Sequence, residues 1–170
     1  DSSAAEGSVT SALLDGVNVT EDLSLDFGYV CRIRVGDYVW VDTNKDGIQN
    51  ETGTGIPGVT LTLTTWDGQP VTNVYGNPVG PVTTDSNGYY LFDDLTPNTY
   101  IVHIDNSQPA LSPMVPTLSH QGGNGALDSS TGSEYTGALD NASVTQDMTL
   151  DSGFVLPRVA VGVLVWVDSN

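Results

Sequence analysis

The sequence predicts an all-β sandwich, and three observations support this fold class. Thr, Val, Gly and Asp are abundant, whereas Lys and Arg together number only 4 and Met only 2. Short segments of alternating apolar and polar residues are separated by Gly, Pro, Asn and Asp, which are turn formers. No segment of useful length shows a helical period. Short strands joined by such turns are typical of two packed antiparallel sheets.

The strand pattern is clearest at residues 58–66, GVTLTLTTW. Val59, Leu61 and Leu63 alternate with threonines, so one face of this strand is predicted to be buried and the other exposed. Further predicted strands are DLSLDFGYV at 22–30, GYYLFDD at 88–94 and TYIVHID at 99–105. TDSNG at 84–88 predicts a hairpin turn, because Asn-Gly tolerates positive φ.

The chain is strongly acidic, with 21 acidic residues, 4 basic residues and a formal net charge of -17. This charge disfavours binding to nucleic acid or to an anionic membrane surface. Repulsion between these like charges also opposes compaction. Either bound divalent cations or solvation of the acids would offset this repulsion, and the net charge alone does not distinguish the two. No run is long enough for a membrane helix. The single Cys31 excludes an intrachain disulfide and, lying in an apolar stretch, is predicted to be a small core residue.

Two motifs recur about 125 residues apart, which indicates a tandem repeat. LDFGYV at 25–30 returns as LDSGFV at 150–155, and VWVDTN at 39–44 returns as VWVDSN at 165–170. We therefore expect residues 1–30 to be the C-terminal part of one repeat, 31–155 a complete module, and 156–170 the opening strand of a third. Both ends then fall inside repeats, so we expect a longer array, or a fibre whose subunits exchange end strands.

One segment has the pattern of a calcium loop: DTNKDGIQNETG at 42–53. Asp42, Asn44 and Asp46 occupy positions 1, 3 and 5, and Gly47 occupies position 6, as in the first half of an EF-hand loop. Alternate side chains in a tight loop converge on one point, and each supplies a hard oxygen. The sequence therefore predicts Ca²⁺, with further ligands from the carbonyl of Ile48 at position 7 and from Asn50 at position 9.

The loop departs from the EF-hand pattern at position 12, where Gly53 replaces the bidentate glutamate. Glu51 at position 10, or another aspartate of the fold, would have to close the shell. A strand leads into the loop instead of a helix, and an Asx-rich turn without metal is the alternative interpretation. VDSN at 167–170 begins a second such loop, so Asp168 and Asn170 are predicted ligands if further residues complete it.

These motifs together resemble the B domains of serine-aspartate repeat surface proteins, which are Cna-B-like modules of bacterial surface stalks. The resemblance rests on GDYVWVDTNKDGIQ, GIPGVTLTL, TTDSNGYYLFDDLTPNTYIVHID and LDSGFV. It implies a Greek-key β-sandwich of the immunoglobulin-like or prealbumin-like kind, arranged in tandem. It also implies calcium sites that rigidify neighbouring modules, and a location outside the cell.

Acidic residues outside the loop have two interpretations. Asp22, Asp26 and Asp37, with Asp147 and Asp151 near the other repeat junction, could form junction calcium sites or be solvated acids at strand edges. Asp93, Asp94 and Asp105 follow predicted strands, where they could bind metal or cap turns.

We expect no enzymatic activity, because neither His103 nor His120 lies beside a nucleophile motif. The preferred interpretation is a calcium-stiffened structural module of an extracellular stalk or filament, whose partners are neighbouring copies of the module. The alternative is an adhesin module that binds a host or surface ligand through the long segment 106–143.

Overall fold

This computed structural model describes residues 30–130, 132–140 and 142–157. These residues form nine strands and one helical turn, joined by loops. The chain divides into two compact units, Asp1–Cys31 and Arg32–Asn170, and nearly all the described residues lie in the second. The strands are β1 (Ile33–Val41), β2 (Thr60–Thr65), β3 (Val82–Thr83), β4 (Tyr89–Leu95), β5 (Tyr100–Ile104), β6 (Val115–Pro116), β7 (Ser133–Tyr135), β8 (Gln146–Asp147) and β9 (Ser152–Val155). A 3₁₀ turn spans Pro109–Leu111.

The first sheet is built around β1, in the order β4-β1-β9-β6, with β8 also pairing with β1. Strand β4 is antiparallel to β1, and Asp37 lies opposite Tyr90. Strands β8 and β9 are both parallel to β1, and β9 places Gly153 opposite Trp40. Strand β8 lies beside Arg34 and Val35 and β9 lies beside Val39–Val41, so the two strands follow β1 one after the other in the same direction.

The second sheet has the order β3-β2-β5-β7, and its pairs are antiparallel. The chain alternates between the two sheets several times: β1 lies in the first sheet, β2 and β3 in the second, β4 in the first and β5 in the second. Such crossing connections characterise Greek-key sandwiches. The predicted all-β sandwich is confirmed.

The core fills the space between the sheets. Val59, just before β2, and Leu61 on β2 are fully buried and Leu63 nearly so, whereas Thr60 and Thr62 are exposed, as the alternation predicted. From the first sheet come Val35, Val39 and Phe92, which pack into the same cluster. Burial of each large aliphatic or aromatic side chain stabilises the fold by about 1.5–3 kcal/mol, so this cluster supplies the main driving force for the sandwich.

Two predictions require correction. The turn at 84–88 exists, with Gly88 at φ 93°, but β3 pairs with β2 while β4 pairs with β1. The turn therefore connects the two sheets and is not a hairpin within one. Cys31 is exposed, because it lies before β1 begins and outside the alternation that buries Ile33 and Val35. The predicted strands at 22–30 and 159–167 lie outside the described residues.

The helical content of the described ranges is limited to the 3₁₀ turn at Pro109–Leu111. None of the described residues forms a helix of the length and apolarity needed to cross a membrane.

Candidate metal centre

The loop after β1 begins with a buried carboxylate. Asp42 is only 1% exposed, and its amide donates to the carbonyl of Phe154 on β9 at 2.8 Å. The end of β1 is thereby fixed against its parallel neighbour just before the loop starts. A charged side chain at this depth needs compensation from donors or from a cation.

Both oxygens of the Asp42 carboxylate accept hydrogen bonds. One accepts the Lys45 amide at 2.6 Å, and the other accepts the Gly47 amide at 2.9 Å and the hydroxyl of Thr117. An ionised carboxylate offers about four acceptor positions, so three donors leave one position for a further partner. Gly47 has φ 76°, and a Cβ there would lie 2.4 Å from the Leu118 carbonyl oxygen. Glycine is therefore required at position 6 for two separate reasons.

The side chains at positions 3, 5 and 9 are joined in one hydrogen-bonded group. The Asn44 amide nitrogen donates to Asp46 at 2.9 Å and to Asn50 at 3.1 Å, and the Asn50 amide nitrogen donates to Asp46 at 2.8 Å. The Asp46 carboxylate also accepts the Ile48 amide at 2.8 Å. These donors, chiefly the Ile48 amide, lower the pKa of Asp46, so this side chain carries its negative charge at neutral pH.

Glu51 folds back over the start of the loop. Its Oε1 accepts the Thr43 amide at 2.8 Å, the Thr43 hydroxyl at 3.0 Å and the Asn44 amide at 3.2 Å. Its Oε2 is buried and has no hydrogen-bond partner among the described residues. Burying a carboxylate oxygen without a hydrogen-bond donor costs folding free energy. The described residues supply no group that offsets this cost for Glu51 Oε2.

The residues that hold the loop from outside were not identified from the sequence. They belong to the long segment between β5 and β8: Thr117 donates to Asp42, Gln49 donates to the Leu127 carbonyl at 2.6 Å, and Ser129 donates to the Gly47 carbonyl at 3.1 Å. Asp128 forms an isolated antiparallel bridge with Ile48. The signal available was the recurrence of DSS, at 1–3 and again at 128–130.

The donor set of the loop fits a hard cation such as Ca²⁺. It consists entirely of oxygens: carboxylates from Asp42, Asp46 and Glu51, side-chain amides from Asn44 and Asn50, and the main-chain carbonyl of Ile48. Calcium takes 6–8 oxygen ligands, including carbonyls and amides. In the described part of the chain no three Asp, Glu, His or Cys side chains converge on one point. Instead, the Asn44 amide nitrogen donates to oxygens of both Asp46 and Asn50.

The other predicted acids have varied surroundings. Asp105 accepts the Ser107 amide and hydroxyl at 2.8 and 2.7 Å and thus caps a turn. Asp93 and Asp94 form ion pairs with Arg34 and Arg32 at 3.4 and 3.1 Å. Asp22, Asp26, Asp168 and Asn170 lie outside the described residues.

Comparison with known proteins places this fold and loop in a family. The model of the SdrD B-like domain matches residues 33–154. Serine-aspartate repeat-containing protein F of Staphylococcus epidermidis is 35% identical over 156 residues, covering 91% of this chain and 8% of that protein. Serine-aspartate repeat-containing protein D of Staphylococcus aureus (strain Newman) is 39% identical over 156 residues, covering 91% of this chain and 11% of that protein.

Among solved structures, the minor pilin GBS52 of Streptococcus agalactiae aligns with a TM-score of 0.46 and 12% identity, covering 79% of this chain and 49% of the pilin. The chain thus spans about a tenth of the length of the curated relatives that it matches. The family model covers the described sandwich from the first residue of β1 to the third of the four residues of β9. This chain belongs to the SdrD B-like domain family.

Proposed function

We propose that this chain is a calcium-stiffened structural module of an extracellular bacterial stalk or filament, and that modules assemble end to end through strand pairing and calcium sites. The observation that carries the proposal is the loop at 42–51. It carries three carboxylates, two side-chain amides and the main-chain carbonyl of Ile48. Hydrogen bonds join the side chains of Asn44, Asp46 and Asn50, and one buried oxygen of Glu51 lacks a donor.

The position of the loop explains how a bound cation would stiffen the module. Asp42 follows β1 and is bonded to β9, while Thr117 and Ser129 reach the loop from the long segment between β5 and β8. A cation held by the loop would therefore fix three separate parts of the chain at one point. Since the net charge is -17, the cation would also relieve repulsion that opposes compaction.

A structural role is also favoured by what the long segment does in the fold. Residues 106–143 were the expected binding surface of an adhesin, but much of their main chain supports the sandwich. Val115–Pro116 pairs with β9, Ser133–Tyr135 pairs with β5, and Thr136 donates to the Tyr100 carbonyl at 2.9 Å. Binding of a surface ligand is therefore the weaker alternative. A non-enzymatic role at the cell surface agrees with membership of a family that includes domains of serine-aspartate repeat proteins.

Calorimetric titration of the whole chain with calcium tests the proposal. We expect Asp42→Ala combined with Asp46→Ala to lose at least one bound ion per chain. The matched control is Asp67→Ala combined with Asp105→Ala, which removes two exposed turn-capping acids and so makes the same change in charge. Unchanged stoichiometry in the loop variant, with its fold intact, would contradict the assignment.

A further inference from the structure

A groove of about 440 Å³ lies on the outer face of the second sheet, on the side opposite the core. Its lining comes from the exposed side of β2, from β5 and from the segment that follows β5, and it includes Thr60, Thr62, His103, Asp105, Gln108 and Pro109. Small-molecule sites in proteins commonly occupy about 300–1,000 Å³, so the groove can hold a small polar group. None of the residues of the loop at 42–51 lines it.

The wall of the groove is tied to its floor by one side chain. Gln108 reaches the main chain of Thr60, where its Oε1 accepts the amide at 2.7 Å and its Nε2 donates to the carbonyl at 3.1 Å. Nε2 also donates to the Asp105 carbonyl at 2.9 Å, and the 3₁₀ turn Pro109–Leu111 follows directly. A ligand would therefore meet a groove that is already formed, which lowers the entropic cost of binding.

The imidazole of His103 is fixed in the floor of the groove. Its Nε2 shares a hydrogen bond with the Thr64 hydroxyl of β2, and its Nδ1 shares one with the Ser133 hydroxyl of β7, both at 2.9 Å. Both ring nitrogens are thus engaged by neighbouring strands. The ring contributes a fixed surface, and polar contacts with a ligand depend on the other lining side chains.

Three polar groups of the lining are accessible to a ligand. Thr60 and Thr62 lie on the exposed face of β2, and each hydroxyl can both donate and accept a hydrogen bond. Asp105 is exposed, and its Oδ1 accepts both the hydroxyl and the amide of Ser107, at 2.7 and 2.8 Å. These hydrogen bonds, chiefly the one from the hydroxyl, lower the pKa of Asp105. The carboxylate is therefore charged at neutral pH, and its Oδ2 can accept from a cationic group.

An exposed aromatic ring lies farther along the same face. Tyr135, on the edge strand β7, is 63% exposed and pairs with the half-buried Ile101 of β5. Ile101 pairs in turn with Thr64, which follows Thr60 by four residues, a distance of about 14 Å along the strand. The apolar body of a tyrosine ring can pack against the apolar face of a sugar ring. Only an elongated ligand would contact both the groove and this ring.

We propose that this face binds a polysaccharide whose sugar units carry free amino groups. One protonated amino sugar occupies the groove, with its ammonium group against Asp105 and its hydroxyls against Thr60 and Thr62, and further units extend towards Tyr135. The hydroxyl-rich lining favours a sugar over a lysine side chain, which offers only a charged amine. The net charge of -17 disfavours acidic polysaccharides, and the carboxylate favours a cationic sugar over a neutral one. This binding goes beyond the proposed structural role and requires neither calcium nor assembly.

The test is calorimetric titration of the whole chain with a glucosamine tetramer, at a pH that protonates its amines. Asp105→Asn keeps an oxygen for the Ser107 amide but removes the charge, and we expect it to weaken binding about tenfold, as for the loss of one hydrogen bond between charged groups. Thr62→Val, which removes a neutral donor and acceptor, should weaken binding about threefold. Tyr135→Ala should weaken binding of the tetramer and leave binding of the glucosamine monomer unchanged. Asp67→Asn, at another exposed turn, is the matched control for the change in charge.

Two further probes separate sugar recognition from attraction by the net charge. The N-acetylated tetramer, which lacks the positive charges, should bind about tenfold more weakly than the glucosamine tetramer. Absence of binding to the glucosamine tetramer, or equal affinity for a lysine tetramer, would overturn the proposal. An equal loss in Asp105→Asn and Asp67→Asn would also overturn it, because binding would then follow from the net charge alone. If Asp105→Asn fails to fold, Thr62→Val combined with Tyr135→Ala gives the same readout.

Discussion

The hydroxyl of Thr117 donates a hydrogen bond to the buried carboxylate of Asp42, although 75 residues separate them in the chain. Asp42 begins the loop at 42–51, and Thr117 follows the short edge strand β6. This contact makes the geometry of the loop depend on a segment that carries no calcium-loop motif of its own.

Thr117→Val tests that dependence. Valine keeps the shape of the side chain but removes the donor, so one acceptor position of a carboxylate that is 1% exposed loses its partner. Hydrogen bonds to charged groups contribute about 1.5–3 kcal/mol, and we expect the free energy of unfolding to fall by that amount in EDTA. Urea denaturation measures the change. Thr62→Val, on the exposed face of β2, is the control and should alter stability by less than about 0.5 kcal/mol.

Glu51→Gln examines the buried oxygen without a partner. If this oxygen binds calcium, replacing the carboxylate with an amide removes charge from the shell, and we expect weaker calcium affinity by calorimetry. In EDTA the same variant should be as stable as the wild type or more stable, because an unpartnered charge is lost while an oxygen remains to accept the Thr43 amide.

Glu134→Gln is the control for this variant, since Glu134 pairs with the exposed His120 at 3.2 Å and takes no part in the loop. Equal calcium affinities for Glu51→Gln and the wild type would exclude Glu51 from the shell.

The sequence allowed the strands and the loop to be predicted because both depend on local patterns. The alternation from Val59 to Leu63 specifies which face of β2 is buried. Likewise, the spacing of Asp42, Asn44 and Asp46 reflects a turn whose hydrogen bonds span only a few residues.

Contacts between distant segments could not be predicted in the same way. Nothing in residues 84–88 shows that β3 and β4 belong to different sheets, because a period of two specifies faces and not partners. The parallel pairing of β1 with β9 brings Asp37 and Asp151 together. A local motif does not specify which strand lies beside it, and only the recurrence of Asp26 as Asp151 pointed to one member of this pair.

Chelation should lower the thermal midpoint of the protein. A ligand that binds only the folded state stabilises it by RT ln(1 + [L]/Kd), which is about 2.7 kcal/mol at a hundredfold excess over Kd. The described residues contain one cysteine, so no intrachain disulfide compensates for the loss. Thermal melts with calcium and with EDTA measure the difference, and identical midpoints would mean that calcium contributes nothing to stability.

The calcium-free protein should become less stable as pH rises. Burial raises the pKa of Asp37 from 3.8 to about 6 and that of Asp151 from 3.8 to about 9. Between about pH 4 and pH 9 the folded protein therefore holds protons that the unfolded chain has released, and stability falls with pH across that window. Urea denaturation in EDTA at several pH values measures how steeply the free energy of unfolding falls with pH. Asp151→Asn should flatten it, whereas a slope unchanged in this variant would assign the effect to other groups.

End-to-end assembly is the last prediction, and it follows from the repeats. The segments 22–30 and 159–167 have strand patterns and match the closing and opening strands of complete modules. A strand without a partner exposes a row of main-chain donors and acceptors, which strand addition from a neighbouring module would satisfy. Calcium at the junction would neutralise acids that otherwise repel, and it would hold two modules at a fixed angle more firmly than a flexible linker does.

Electron microscopy of the purified chain, with calcium and with EDTA, distinguishes this arrangement from independent modules. In calcium we expect rigid fibres of regular spacing, which soften or dissociate when EDTA is added, because the cation supplies the stiffness and main-chain pairing the affinity. Asp168→Ala removes the first predicted ligand of the second loop and should weaken the fibres, while leaving the ion in the 42–51 loop and the melting of the single module unchanged. Monomers in calcium, or flexible chains of modules that do not respond to EDTA, would contradict assembly through calcium-stiffened junctions.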